Sequence, residues 1–263
     1  MSTPTKTIAL ISGANTGIGE ATARILAQDH GFHVLIGSRN LEAGQKVADS
    51  ITSQGHSASA IQLDITSDAS IAAAVRQIEQ EHGGVLDVLI NNAGILIDYL
   101  LHGRTEPSSS SDKDGKKEED YPSTREIFTR TMLTNVVGTA CLTDACVPLL
   151  RRSTHPRVIF VSSIMGSIKE ATVKSNMWYP IDYKAYDTSK AGVNMLTVQY
   201  ARILEDVGAS VNAVCPGLVR SQLTRYSMGD PPEVGARRIV ELAIAEKGGP
   251  TATFTNIHGP IAW

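Results

Sequence analysis

Short apolar runs separated by longer stretches of helical spacing constrain this chain more than any other feature. The runs fall at residues 8–11, 34–36, 60–63, 86–90, 158–161 and 210–214. Strict alternation would mark a sheet with one wet face, whereas continuous apolarity means that both faces are covered, as in parallel strands. Between the runs, residues 20–28, 43–52, 70–81, 127–150, 190–205 and 233–246 repeat apolar side chains at helical spacing. The chain therefore reads βαβα throughout and predicts an α/β fold, a doubly wound parallel sheet in three αβα layers, with a last strand near 252–255.

At 263 residues the chain fits one large domain over 1–263, since no linker divides two cores and no solenoid period is visible. Hydrophobic residues at 42% and charged residues at 19% are those of a globular protein and exclude disorder for most of the chain. A net charge of −3 and a pI near 6.2, with no Lys/Arg run longer than two, argue against a nucleic-acid partner. Residues 1–6 are polar and lead straight into a strand pattern, without the apolar stretch of a signal peptide or membrane span, so no membrane and a cytoplasmic location are expected. Cys141, Cys146 and Cys215 lack metal or redox spacing and read as small buried residues in a reducing compartment. No two histidines stand at ligand spacing, so no metal is expected.

Two stretches break the rhythm. Residues 102–124 include a polar, low-complexity segment over 108–120 that reads as a mobile surface loop. Residues 169–184 are richer in aromatics and read as an ordered connection.

Directly after the first strand stands Ser12-Gly13-Ala14-Asn15-Thr16-Gly17-Ile18-Gly19, opening a helix at Glu20. Glycines there let the backbone turn sharply and approach a pyrophosphate whose charge meets the helix N-terminus, which makes the sheet Rossmann-type. Cofactor choice follows from the end of the second strand. An acidic residue there would hold the ribose hydroxyls of NAD, but the sequence has Ser38 and Arg39, a hydroxyl and a guanidinium suited to a 2′-phosphate. The expected cofactor is NADPH/NADP+.

Reduction of a carbonyl needs a hydride from one side and a proton delivered to the oxygen. Tyr186 and Lys190 stand four apart on a predicted helix and share one face, so that the lysine favours the phenolate. Tyr179 and Tyr183 have no cation four positions on.

With the glycine motif, Asp64 after the third strand, Asn91-Asn92-Ala93-Gly94 after the fourth, Asn135, Ser162-Ser163, Tyr186-x-x-x-Lys190 and Pro216-Gly217 in order, the sequence resembles the short-chain dehydrogenase/reductase family over nearly its whole length, and within it the carbonyl-reductase-like members. One departure is Ser12, where the family usually has Thr. The resemblance implies that Gly13, Asn15, Thr16, Gly17, Ile18 and Gly19 bind the cofactor together with Ser38, Arg39, Asp64 and Ile65. Asp64 would meet the adenine, although it reads equally well as a turn residue. Asn92, Ala93 and Gly94 would brace the pocket. Pro216, Gly217, Val219 and Ser221 would lie at the nicotinamide, beside Tyr186 and Lys190. It implies further that Ser163 positions the substrate oxygen, with Ser162 as understudy, and that Asn135 orders a water beside the lysine.

The intervals Asn92–Asn135 and Ser163–Tyr186 are longer than in the family's shorter members and fall where ligands bind. After Pro216-Gly217 the covering segment is brief. Ile95, Ile97, Ile164, Met165, Tyr179, Tyr183, Leu218 and Leu223 are candidate pocket residues, and their character suggests a hydrophobic or aromatic carbonyl substrate. The expected activity is NADPH-dependent carbonyl reduction, reversible to alcohol oxidation. Non-redox chemistry on the same scaffold, or dinucleotide sensing with a protein partner, is the alternative. Whether the protein is a monomer or a homo-oligomer is left open.

Overall fold

Parity along each apolar run decides how the sheet is buried. In β1 (Ile8–Ser12), Ala9 and Ile11 join one core and Leu10 the other. The same division recurs in β2 (His33–Ser38), with Val34 and Ile36 opposite Leu35, and in β4 (Val88–Asn91), with Val88 and Ile90 opposite Leu89. β5 (Arg157–Val161) divides Ile159 and Val161 from Val158 and Phe160. Side chains in a strand point alternately to opposite faces, so a run without polar breaks is what two covered faces require.

The computed structural model describes residues 6–104 and 121–263. Most of the polar stretch expected to be a mobile loop lies outside the described residues. β3 (Ser57–Gln62), β6 (Ser210–Val214), β7 (Thr253–Asn256) and β8 (Gly259–Pro260) complete one sheet of order β3-β2-β1-β4-β5-β6-β7-β8. All pairings are parallel except β7 with β8, a short antiparallel edge that periodicity did not mark.

One face is covered by α1 (Gly17–His30), α2 (Leu41–Thr52) and α8 (Pro232–Ala243), the other by α3 (Asp68–Glu81), α5 (Thr139–Leu150) and α7 (Lys184–Ile203). The expected three-layer doubly wound architecture is therefore present. Caps set several of the helix starts. Asn40 accepts from Ala43 N and opens α2, Ser67 accepts from Ser70 N and opens α3, and Gly31 in the left-handed region ends α1.

Boundaries differ from the sequence reading where tertiary contacts prevail. α1 begins inside the glycine motif at Gly17 rather than at Glu20, and α7 starts at Lys184, so that Tyr186 lies in its first turn. The single helix expected over 127–150 is α4 (Thr124–Met132) and α5 joined by a π-helical segment, Leu133–Gly138. By length and composition the run Thr124–Leu150 is apolar enough to cross a membrane, yet Ile127, Leu142, Cys146, Leu149 and Leu150 are fully buried inside the fold. Cys146 and Cys215 are buried as expected, whereas Cys141 is only half-buried on the rim of α5.

The strand order reverses between β1 and β4, and the loops that leave their carboxyl ends diverge to opposite sides of the sheet. A crevice at such a switch point is the ligand site of this architecture. Phe160, fully buried and stacked on Tyr200 with ring centroids 5.8 Å apart, holds the sheet to α7 beneath that crevice. Phe160→Ala is expected to lower stability by about 3–5 kcal/mol, read as a shift in urea midpoint at unchanged slope.

Candidate active site

At the switch point the glycine turn is stitched to the loop after β4. The Asn92 side-chain amide donates to the carbonyls of Ser12 (2.9 Å) and Gly13 (3.0 Å). In return the Ser12 hydroxyl accepts from the backbone N–H groups of Asn92 (3.1 Å) and Ala93 (3.0 Å). Gly13 and Gly17 lie at positive φ, +64° and +58°, where a side chain would be strained. A Cβ on Gly19 would stand 2.5 Å from the Gly13 carbonyl and 2.6 Å from the Asn92 amide, so this glycine serves close packing of α1 on the turn. Thr16, the residue ahead of α1, makes no side-chain cap. The N–H groups of the first turn thus remain available to an anion, and the cradle fits the pyrophosphate of a dinucleotide.

From this turn a cavity of about 940 Å³ runs along the carboxyl edge of the sheet. The end of its wall nearest the glycine turn includes Gly13, Asn15, Thr16, Gly17, Ile18, Ser38, Arg39, Asp64 and Ile65, followed by Asn92, Ala93 and Gly94. Ser163, Tyr186, Lys190, Pro216, Gly217, Val219 and Ser221 line the other end. Of the residues expected from the sequence to serve catalysis or cofactor binding, Gly19 and Asn135 are not on the wall.

At the end nearest the glycine turn the Ser38 hydroxyl is buried and donates to the Asn40 carbonyl (2.8 Å), whereas the exposed Arg39 lies on the cavity wall. Asp64 accepts from the Thr66 hydroxyl (2.7 Å) and backbone N–H (2.9 Å), and so does act as a turn residue. The Thr66 hydroxyl is the main cause of a carboxyl held below its usual range, with a smaller contribution from Arg39.

At the other end, Tyr186 and Lys190 project from α7 and are only 6% and 5% exposed. Lys190 Nζ donates to the Val161 carbonyl (2.8 Å) and stands 5.6 Å from the centre of the Tyr186 ring. Burial lowers the ammonium to about 8. The same burial pushes the Tyr186 phenol well above its usual range, and the Ser163 hydroxyl opposes the shift as a hydrogen-bond partner. The lysine was expected to lower this phenol, but burial raises it, and Lys190 faces the ring while bonded to Val161.

Ser163 heads a short 3₁₀ turn, Ile164–Gly166, and accepts from Met165 N (3.2 Å), while its hydroxyl meets the Tyr186 phenol. Ser162, by contrast, donates to Asn194 Oδ1 (2.6 Å). Asn135, inside the π-helical segment, accepts from Ile95 N (2.8 Å) and donates to the Ile95 carbonyl and to Ser189 Oγ, each at 2.9 Å. It thereby holds the loop after β4 against α7. A Cβ on Gly94 would lie 3.3 Å from Asn135 Oδ1 and 3.5 Å from Lys190 Nζ, so a bare backbone at this position allows the three to converge.

The substrate end is lined by Ile95, Ile164, Met165, Tyr183, Leu218 and Leu223, as expected, and by Leu96, Tyr99, Trp178, Ile181 and Met228. Ile97 and Tyr179 do not line it; Tyr179 faces a separate recess of about 90 Å³. Trp178 and Ile181 come from the connection before α7, which bears out its reading as ordered. The segment after Gly217 closes on itself through a bridge between Val219 and Asp230, bringing Ser221–Met228 onto the wall.

A prediction follows from the buried lysine. Between pH 8 and its ordinary 10.5 the unfolded chain still holds the proton that the folded protein has released. Loss of the Lys190 proton therefore adds stability as pH rises through that window, by on the order of 1.4 kcal/mol per unit. Lys190→Met is expected to be more stable than wild type at pH 7, with the advantage shrinking between pH 8 and 10, as measured by urea denaturation; a pH-independent difference would contradict the burial of a charged lysine.

Residues 7–231 match the family model of the short chain dehydrogenase. The sequence is 35% identical to short-chain dehydrogenase/reductase ATR10 of Stachybotrys chlorohalonatus, with 97% of this chain and 89% of that protein covered. It is 26% identical to salutaridine reductase of Papaver somniferum, over 94% of this chain and 93% of that one. In fold it is similar to the NADPH-bound carbonyl reductase from chicken fatty liver, with a TM-score of 0.75 at 22% identity and coverage of 98% and 100%. With the glycine cradle at the switch point and a match across most of its length, the chain belongs to the short-chain dehydrogenase family, oxidoreductases that act on alcohol and carbonyl groups with a nicotinamide cofactor.

Proposed function

We propose that the protein is an NADPH-dependent carbonyl reductase that converts a ketone or aldehyde of a small hydrophobic or aromatic metabolite to the alcohol. The observation that carries the reading is the convergence of Tyr186, Lys190 and Ser163 on one end of a cavity whose other end presents Arg39 beside the glycine cradle. When bound in that cradle, the nicotinamide cofactor supplies the hydride.

The chain's own groups manage the oxygen. Ser163 donates to the substrate oxygen and orients it. Tyr186, held protonated by burial, is a competent acid at neutral pH and delivers its proton as negative charge develops on that oxygen. The phenolate left behind is stabilised by Lys190, which at about 8 is mainly charged at pH 7. Asn135 keeps α7 registered against the β4 loop, supporting a proton path behind the lysine. A phenol raised above its usual range rests in its protonated form, the form that reduction needs, while the oxidative direction, which needs the phenolate, gains at higher pH.

Preference for NADPH is supported by Arg39, a guanidinium on the cavity wall with no carboxylate at the end of β2 to repel a 2′-phosphate. Names of relatives such as salutaridine reductase and (-)-isopiperitenone reductase support the reductive direction. A cytoplasmic setting belongs to the same reading, supported by three cysteines that form no disulfide.

NADPH oxidation followed by absorbance against a panel of aromatic, aliphatic and quinone carbonyls tests the reading. Tyr186→Phe is expected to lose on the order of 10²–10⁴-fold in kcat while still binding NADPH. Arg39→Ala is expected to cut the NADPH-over-NADH preference by roughly tenfold, the loss of one charge-assisted pair, without altering kcat at saturating cofactor. Tight NADPH binding with no turnover of any carbonyl would overturn the proposal.

A further inference from the structure

α7 carries Tyr186 in its first turn, yet the residue ahead of it, Tyr183, places no side-chain hydrogen bond on the helix's free N–H groups. The cap comes from elsewhere. Asp98, which opens a short 3₁₀ helix (Asp98–Arg104) after the β4 loop, accepts from Ala185 N at 2.7 Å and from Tyr186 N at 3.2 Å. Its side chain is fully buried, and no lysine or arginine pairs with it among the described residues. A buried carboxylate without a cation is costly unless positive potential meets it, and here the helix N-terminus is what meets it.

We propose that Asp98 is a positioning residue for the proton donor: by capping α7 from across the cleft it fixes Tyr186 opposite Ser163 and couples the β4 loop to the helix that does the chemistry. This rests on the carbonyl-reductase reading of the site. The same segment that carries Asn92, Ala93 and Gly94 to the cofactor cradle then reaches, four residues on, the backbone of the tyrosine itself.

Asp98 also sets the field in which the phenol titrates. Tyr186 faces Lys190 and Asp187 on its own helix, Asp98 from the 3₁₀ turn, Ser163 after β5 and Cys215 after β6. Asp98 in turn faces Asp182, which is paired with Lys184 at 2.6 Å. Burial and then Asp98 and Asp182 hold the Asp187 carboxyl up at about 7, so negative charge is concentrated around the first turn of α7. Burial is the first cause of the raised phenol, and the Asp98 charge adds to it.

The test compares full-length Asp98→Asn, which keeps the shape and an acceptor but removes the charge, with Asp98→Ala, which removes the cap. For Asp98→Ala the expected result is a kcat lower by on the order of tenfold or more at unchanged NADPH affinity, together with faster amide hydrogen exchange over the first turn of α7. Asp98→Asn is expected to recover most of kcat, with the basic limb of the kcat profile moved to lower pH because the phenol has lost a neighbouring negative charge. Unchanged kcat and exchange in both variants, equal losses in kcat and NADPH affinity, or an unmoved basic limb in Asp98→Asn would each overturn the proposal. Should Asp98→Ala fail to fold, Asp98→Asn decides it through its pH profile. If the wild type turns over no carbonyl, the reductase reading itself has failed, and exchange at the first turn of α7 still reports whether Asp98 holds Tyr186.

Discussion

The reciprocal bonding of Asn92 and Ser12 across the strands β1 and β4 is the constraint on which the rest of the site depends. Where the strand order reverses, chain leaves the sheet in two directions, and nothing in a parallel ladder holds the two exits together. One side-chain amide and one hydroxyl do so here, each bonding to the other loop's backbone. The glycine turn is thereby kept open towards α1, whose first N–H groups carry no cap, and the crevice keeps its width along the carboxyl edge of the sheet.

Burial then determines the chemistry at the far end. The environment that makes α7 pack tightly against β5 also removes water from Tyr186 and Lys190, raising the phenol and lowering the ammonium. Both shifts favour neutral groups, and two residues that are nearly matched in proton affinity in water are driven apart, the phenol holding its proton far more tightly than the ammonium does. A proton lost from the phenol is then met by an adjacent cation whose own hold on its proton has weakened. Around this pair the backbone makes room at Gly94, and the π-helical segment turns Asn135 inward to hold Ile95 and Ser189. Insertions of this kind in a helix cost regular hydrogen bonding and recur at functional positions because they re-aim a side chain.

Much of the architecture was legible because its signal is local. The runs 8–11 and 158–161 contain no polar break that a wet face would show, and the segments between the runs carry helical spacing. What escaped lies where contacts across the sheet override local preference. The helix over 127–150 reads as one piece because its periodicity is continuous, and only packing of Gly138 on the Ile65 carbonyl, 2.5 Å from where a Cβ would stand, reveals why a small residue and a wider turn occur there. The edge strand β8 is two residues long and has no periodicity to detect. Ile97 and Tyr179 were candidates on apolar character alone, which does not specify direction; Trp178 and Tyr99 reach the cavity in their place.

By itself the sequence determined that this chain forms a three-layer α/β sheet with a glycine turn after its first strand, and that a tyrosine and a lysine share one face of a helix. Those features follow from patterns within a few residues, and short-range sterics and side-chain periodicity suffice to read them. Only the tertiary structure decided that the Ser162 hydroxyl is committed to Asn194, that burial governs the Tyr186 phenol, and that Asp98 caps the helix bearing it. Each of these depends on groups brought together from some 20 to 90 positions apart, and desolvation and hydrogen-bond competition arise only once the chain has closed around them.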